Sequence, residues 1–138
     1  MRSRAADGFR VKARTAPPFE FVLEAMERTP FWTRPMFGCL AVYVGEKIVM
    51  ILRDKPKARE SNGVWIATTK EHHESLRQTF PSMRSIPALG SGVTGWQLLP
   101  PEAEDFEEAA LGVCELILAR DPRIGKTPAR KKRRGRSE

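Results

Sequence analysis

The chain has 138 residues, of which 41% are hydrophobic and two are cysteines, so it fits one domain with its own core and excludes a disulfide-dense scaffold or a second independent domain. The net charge of +7 sits at the ends: residues 1–14 hold five cations against Asp7, and residues 126–138 hold seven against Glu138, which leaves the stretch between mildly acidic. A polyanion is therefore expected to be held by the termini rather than by a basic face of the folded domain.

In chain order, residues 1–14 are basic and without a period, and they read as a disordered lead-in closed by Thr15-Ala16-Pro17-Pro18. A single domain is expected over 15–125, followed by a disordered basic tail over 126–138. Phe19, Val22, Leu23 and Met26 repeat at helical spacing and predict a short amphipathic helix ended by Pro30. Leu40 to Val44 and Lys47 to Leu52 are rich in branched and aromatic residues and meet at Gly45-Glu46, which predicts a hairpin. Arg53 to Gly63 reads as a charged loop ending in an Asn-Gly turn, and Val64 to Ala67 as a third strand. Thr68-Thr69-Lys70-Glu71 has the form of a capping box and predicts a helix from about Thr69 to Phe80, stopped by Pro81.

Ser85 to Leu89 and Gly95 to Leu99 are weaker strand candidates, the first marked by Pro87 as an edge or bulge. Pro100-Pro101 is expected to open a last helix, with Glu102, Glu104 and Asp105 at its positive end, Phe106, Ala109, Ala110, Val113 and Ile117 on its apolar face, and Arg120 at its negative end. The order α-β-β-β-α-β-β-α predicts an α+β two-layer sandwich with a mainly antiparallel sheet.

Chemistry-bearing clusters are sparse. Glu71-His72-His73-Glu74 offers metal-ligand types, but adjacent helical positions point about 100° apart and no His-x-x-x-His occurs, so a helix start with one histidine packed on the sheet is expected and no metal. Cys39 lacks a cationic neighbour within its apolar pattern, and Cys114 alternates with apolar residues, so both are expected as buried thiols. With no secretory h-region in the chain they are expected to be reduced, in the cytoplasm. The run Ile48 to Leu52 falls well short of the roughly 20 residues of a membrane span, and no membrane contact is expected. Gly90-Ser91-Gly92 and Gly125-Lys126-Thr127 read as loops rather than phosphate cradles. Trp65 and Trp96 are expected to pack against the helices, and Arg34, Arg53, Lys55, Lys57 and Arg59 to lie in a solvated loop region.

Arg34-Pro35-Met36-Phe37-Gly38 followed by Tyr43 and the Gly45 turn resembles the N-terminal domain of the TfoX (Sxy) family of bacterial competence regulators, loosely from about Phe19 to about Arg120. Cys39 and Ala41 stand where that family usually has further glycines. The resemblance implies the same α+β fold, with Met36, Phe37, Gly38, Tyr43 and Gly45 as structural marks of the sheet, and a chain ending before the family's helical C-terminal domain. It also implies a non-enzymatic regulatory or interaction module, linked to transcription or competence, that contacts a protein partner and needs no cofactor. A homodimer is compatible with this reading. The alternative is a nucleic-acid-binding accessory protein acting non-specifically through Lys126, Arg130, Lys131, Lys132, Arg133, Arg134 and Arg136, whose charge can neutralise phosphates. A small-ligand-binding domain or enzyme is the third reading, and it would require Arg34, Tyr43 and a histidine to converge in a pocket.

Overall fold

The structure is a computed structural model and describes residues 17–90 and 94–127. Its turns place its sheet. Phe37 and Gly38 both have positive φ, 51° and 77°, as in a two-residue type I′ turn whose twist matches that of the flanking strands. That turn joins β1 (Trp32–Met36) to β2 (Cys39–Val44), pairing Met36 with Cys39 and Trp32 with Tyr43. At the next turn Gly45 has φ 60°, and β2 passes into β3 (Lys47–Arg53) with a bulge beside Val42/Tyr43. β4 (Gly63–Ala67) and β5 (Trp96–Leu99) complete a five-stranded antiparallel sheet in the order β1-β2-β3-β4-β5.

Three helices, α1 (Glu20–Ala25), α2 (His73–Thr79) and α3 (Phe106–Leu118), cover one face of this sheet. Val42, Met50, Leu52, Val64, Ile66 and Leu99 point into that layer and meet Val22, Met26, Leu76, Phe80, Ala110, Val113 and Ile117. Each fully buried aliphatic side chain contributes roughly 1.5–3 kcal/mol of transfer free energy, so this face holds most of the stability. Phe106 closes the α1 end, its ring meeting Phe19 and Phe21 edge-on at 5.3 and 5.9 Å. The molecule is an α+β domain with helices on one side of an antiparallel sheet, as the hydrophobic pattern predicts.

Individual elements depart from the sequence pattern for identifiable reasons. β1 occupies a stretch where no strand is expected, because Pro35 lowers its strand signal. The Ser85 to Leu89 candidate forms no strand: a single bridge, Arg84 to Leu98, precedes it and a 3-10 turn covers Pro87–Leu89, since Pro87 has no N–H for a ladder. The capping box does not form: the Thr68 hydroxyl bonds the Arg123 carbonyl, and the chain enters α2 through a 3-10 turn at Lys70–His72. Pro100 and Pro101 precede a run of turns, and α3 begins only at Phe106.

A C-terminal strap sews the two layers together. Arg123 pairs with Asp121 at 2.9 Å and reaches Ser75 Oγ on α2 at 2.6 Å. The Gly125 N–H donates to the Ala67 carbonyl, and Lys126 exchanges both backbone hydrogen bonds with Ile48. Lys126 is thus part of the sheet, in place of the tail the sequence suggests, because β4 ends at Ala67 and leaves the start of β3 an open edge. Residues 130–136 of that expected tail, and the expected lead-in over 1–14, lie outside the described residues.

Candidate interaction surface

Strand alternation sends Trp32, Arg34 and Met36 of β1, Cys39, Ala41 and Tyr43 of β2, Ile48 and Ile51 of β3, and Trp65 and Trp96 of β4 and β5 to the face without helices. Ala41, Tyr43, Ile48, Ile51 and Ala67 are buried there, bordered by half-buried Met36, Cys39, Trp65 and Trp96. Trp65 and Trp96 therefore pack on each other across this face, edge-on at 6.2 Å, and not against the helices. Their register opposite Leu98 and Ala67, on the strand positions that alternate away from the core, dictates that placement. The Trp65 indole N–H is used internally, by the Ser61 carbonyl at 2.8 Å.

Trp32 differs from both. Its ring lies flat on Tyr43, with centroids 4.1 Å apart and planes within 8°, and its indole N–H donates to the Gly45 carbonyl at 3.0 Å. One ring face and the polar edge are thus fixed, while the residue stays 46% exposed. Phe37 projects from the tip of the same hairpin at 88% exposure. The Lys55 ammonium donates to the Phe37 carbonyl at 3.0 Å and packs beneath Gly38, which ties the tip to the loop after β3. At the other end of the sheet the Lys126 ammonium lies 5.4 Å from the centre of the Trp96 ring, within cation–π reach.

The charges are segregated by layer. No acidic residue occurs in any of the five strands, whereas α1 and α3 carry Glu20, Glu24, Glu107, Glu108 and Glu115. Arg34 is exposed on the helix-free face. Arg53 is not part of a solvated loop: it is buried and donates to the carbonyls of Ala58 and Lys57 and to Asn62 Oδ1. Asn62 also bonds the backbone of Lys55 in both directions, so the charged loop is held by these two side chains.

The other candidate groups are structural in their settings. His73 is buried in the helix layer, and its Nε2 has no hydrogen-bond partner among the described residues. Burial, then the charges of Arg77 and His72, hold its pKa below the ordinary imidazole value. His72 is half-buried, 3.7 Å from the Glu71 carboxylate. Among the described residues no three His, Cys, Asp or Glu side chains converge as a metal centre would require. Cys114 is buried against the Val22 carbonyl, and desolvation, with Glu115 adding, pushes its thiol up to about 12. Cys39 is half-buried rather than buried, its sulfur 3.8 Å from the Phe37 carbonyl, because it begins its strand beside the hairpin tip. Glu102 faces Arg84 at 3.7 Å and Asp105 stands at the helix cap position, so the acidic run before α3 is spread out.

An open groove of about 600 Å³ runs between the Gly45 turn and the end of α3, with Val44, Val49, Ile117 and Ile124 on its floor and Glu46, Lys47, Arg120 and Asp121 at its rim. The Asp121 carboxylate is already committed to Arg123, which holds it below the usual carboxylate range. Arg34 and Tyr43 occupy the helix-free face and His73 the helix layer, so the three do not converge.

Of the motif residues, Met36 and Tyr43 pack on the helix-free face, while Phe37, Gly38 and Gly45 make the two turns. Trp32 is the functional candidate the sequence pattern does not single out. Its signal is the alternation Trp32, Arg34, Met36 ahead of the Phe37-Gly38 turn. No helix of the described residues is long and apolar enough to cross a membrane. Comparison with family models, with characterised proteins and with solved structures finds no match to this chain.

Proposed function

We propose that the chain is a non-enzymatic regulatory or interaction module of the cytoplasm that docks a macromolecule on the helix-free face of its sheet. The observation that carries this reading is Trp32: a large indole fixed on Tyr43 and Gly45, yet 46% exposed, with Phe37 at the tip of the same hairpin 88% exposed. A solvent-facing aromatic held in place, as Trp32 is, suits an interaction site, since its ordering cost is met before a partner arrives. The resemblance of Met36-Phe37-Gly38 and Tyr43 to the TfoX N-terminal domain supports a regulatory role linked to transcription or competence. Two unpaired thiols at Cys39 and Cys114 suit a reducing compartment.

A photo-crosslinking amino acid at position 37, compared with one at position 111 on the opposite layer, tests this in the native cytoplasm. Leu111 is 42% exposed and makes a fair control. Adducts concentrated at position 37 are expected. Equal yields at both positions would contradict the reading.

A further inference from the structure

Resting on that reading of the face, we infer that its occupant is single-stranded nucleic acid, held by base stacking on Trp32 and Phe37 and by phosphate contact with Arg34 and Lys126. Trp32 is a stacking platform already assembled: Tyr43 lies under one ring face at 4.1 Å, the Gly45 carbonyl holds the N–H, and the outer face is open. A base has a planar surface to match it, whatever its identity. Arg34 lies between Trp32 and Phe37 on the same hairpin, and at about 3.3 Å per strand residue the two aromatics stand roughly 16 Å apart, with the cation between them.

Charge selects the same class of ligand. The five strands contain no acidic residue, and the glutamates of α1 and α3 lie on the far layer. The mildly acidic body of the chain thus presents a face that attracts a polyanion. At its far edge Lys126 lies over Trp96, and the sequence from there to residue 136 holds seven cations. A strand crossing the sheet would therefore run from the stacking side chains of the hairpin to the Lys126 ammonium.

Two other occupants fit less well. An acidic peptide would satisfy Arg34 but supply no planar group for the open face of Trp32. A second copy paired along β1 would lose an amide at Pro35 and could bring like charges at Arg34 together.

The test uses the full chain and fluorescence anisotropy of labelled 12-nucleotide single strands, deoxy and ribo, alongside a duplex of the same sequence. Trp32→Ala is expected to weaken both single strands roughly tenfold. Duplex affinity, carried by the terminal cations, is expected to change less than twofold. Trp32→Phe, which keeps a ring on Tyr43, should retain most single-strand binding and controls for misfolding. Unchanged single-strand affinity in Trp32→Ala, an equal loss for the duplex, or displacement of single strands by polyglutamate from the parent chain but not from Trp32→Ala would each overturn the inference. If it is overturned while position-37 adducts persist after nuclease, the docking face stands with a protein occupant. If the adducts also show no preference for position 37, both fall.

Discussion

His73 shows what a single residue costs and reveals. Burial and the neighbouring charges of Arg77 and His72 lower its pKa from 6.5, so the folded chain binds this proton less tightly than the unfolded chain does. Its contribution to stability is complete above pH 6.5 and is lost as pH falls from there toward the folded-state pKa. Urea midpoints at pH 7.5 and 5.5 should therefore drop more for the parent chain than for His73→Leu, and parallel drops would contradict this account. The sequence allowed a histidine packed on the sheet, and the structure buries His73 at the start of α2. It could not reveal Trp32, because burial of one ring face depends on Tyr43 across the strand, eleven residues away, and on the Gly45 carbonyl beyond it.

At the scale of elements, local signals gave the hairpin and the helices because their determinants are local. The Gly45 turn and the apolar spacing of α3 need no distant partner. Where long-range partners decide, the pattern misleads: Arg123 takes the Thr68 hydroxyl from its capping role, and Leu98 bridges Arg84, just before the expected strand from Ser85 to Leu89, which does not form. Pro35 hides β1 by the same logic, since its acceptability at a sheet edge is a property of the sheet. Gly63, at φ 136°, is required by packing as well, because a Cβ there would overlap the Leu99 carbonyl oxygen.

The end of α3 carries a testable irregularity. The Arg120 N–H bonds the Ile117 carbonyl and the Asp121 N–H the Leu116 carbonyl, the two bonds of a Schellman cap, with Arg120 at φ 62° where glycine is favoured. Left-handed backbone costs a non-glycine residue roughly 1–2 kcal/mol. Arg120→Gly should raise stability by about 0.5–1 kcal/mol after the added freedom of the unfolded chain is discounted, read as a higher urea midpoint with an unchanged slope. A lower midpoint would show that the arginine side chain contributes more than its backbone strain removes.

Over the whole molecule the fold sorts by layer what the sequence interleaves. The formal charge of +7 suggests that only the termini attract a polyanion, because the central stretch is mildly acidic. Folding puts the glutamates of α1 and α3 in one layer, while the acid-free strands leave Arg34 exposed on the helix-free face. No reading of composition can find this, since it follows from which face the helices cover.

The three tryptophan indole N–H signals of the full chain report on that face directly. In an NMR titration with a 12-nucleotide single strand, the Trp32 and Trp96 indole signals and the Arg34 and Phe37 amides should shift together. The Trp65 indole, tied to Ser61, and the amides of α3 should stay in place. Shifts confined to amides beyond Lys126, with the Trp32 indole unmoved, would contradict the account.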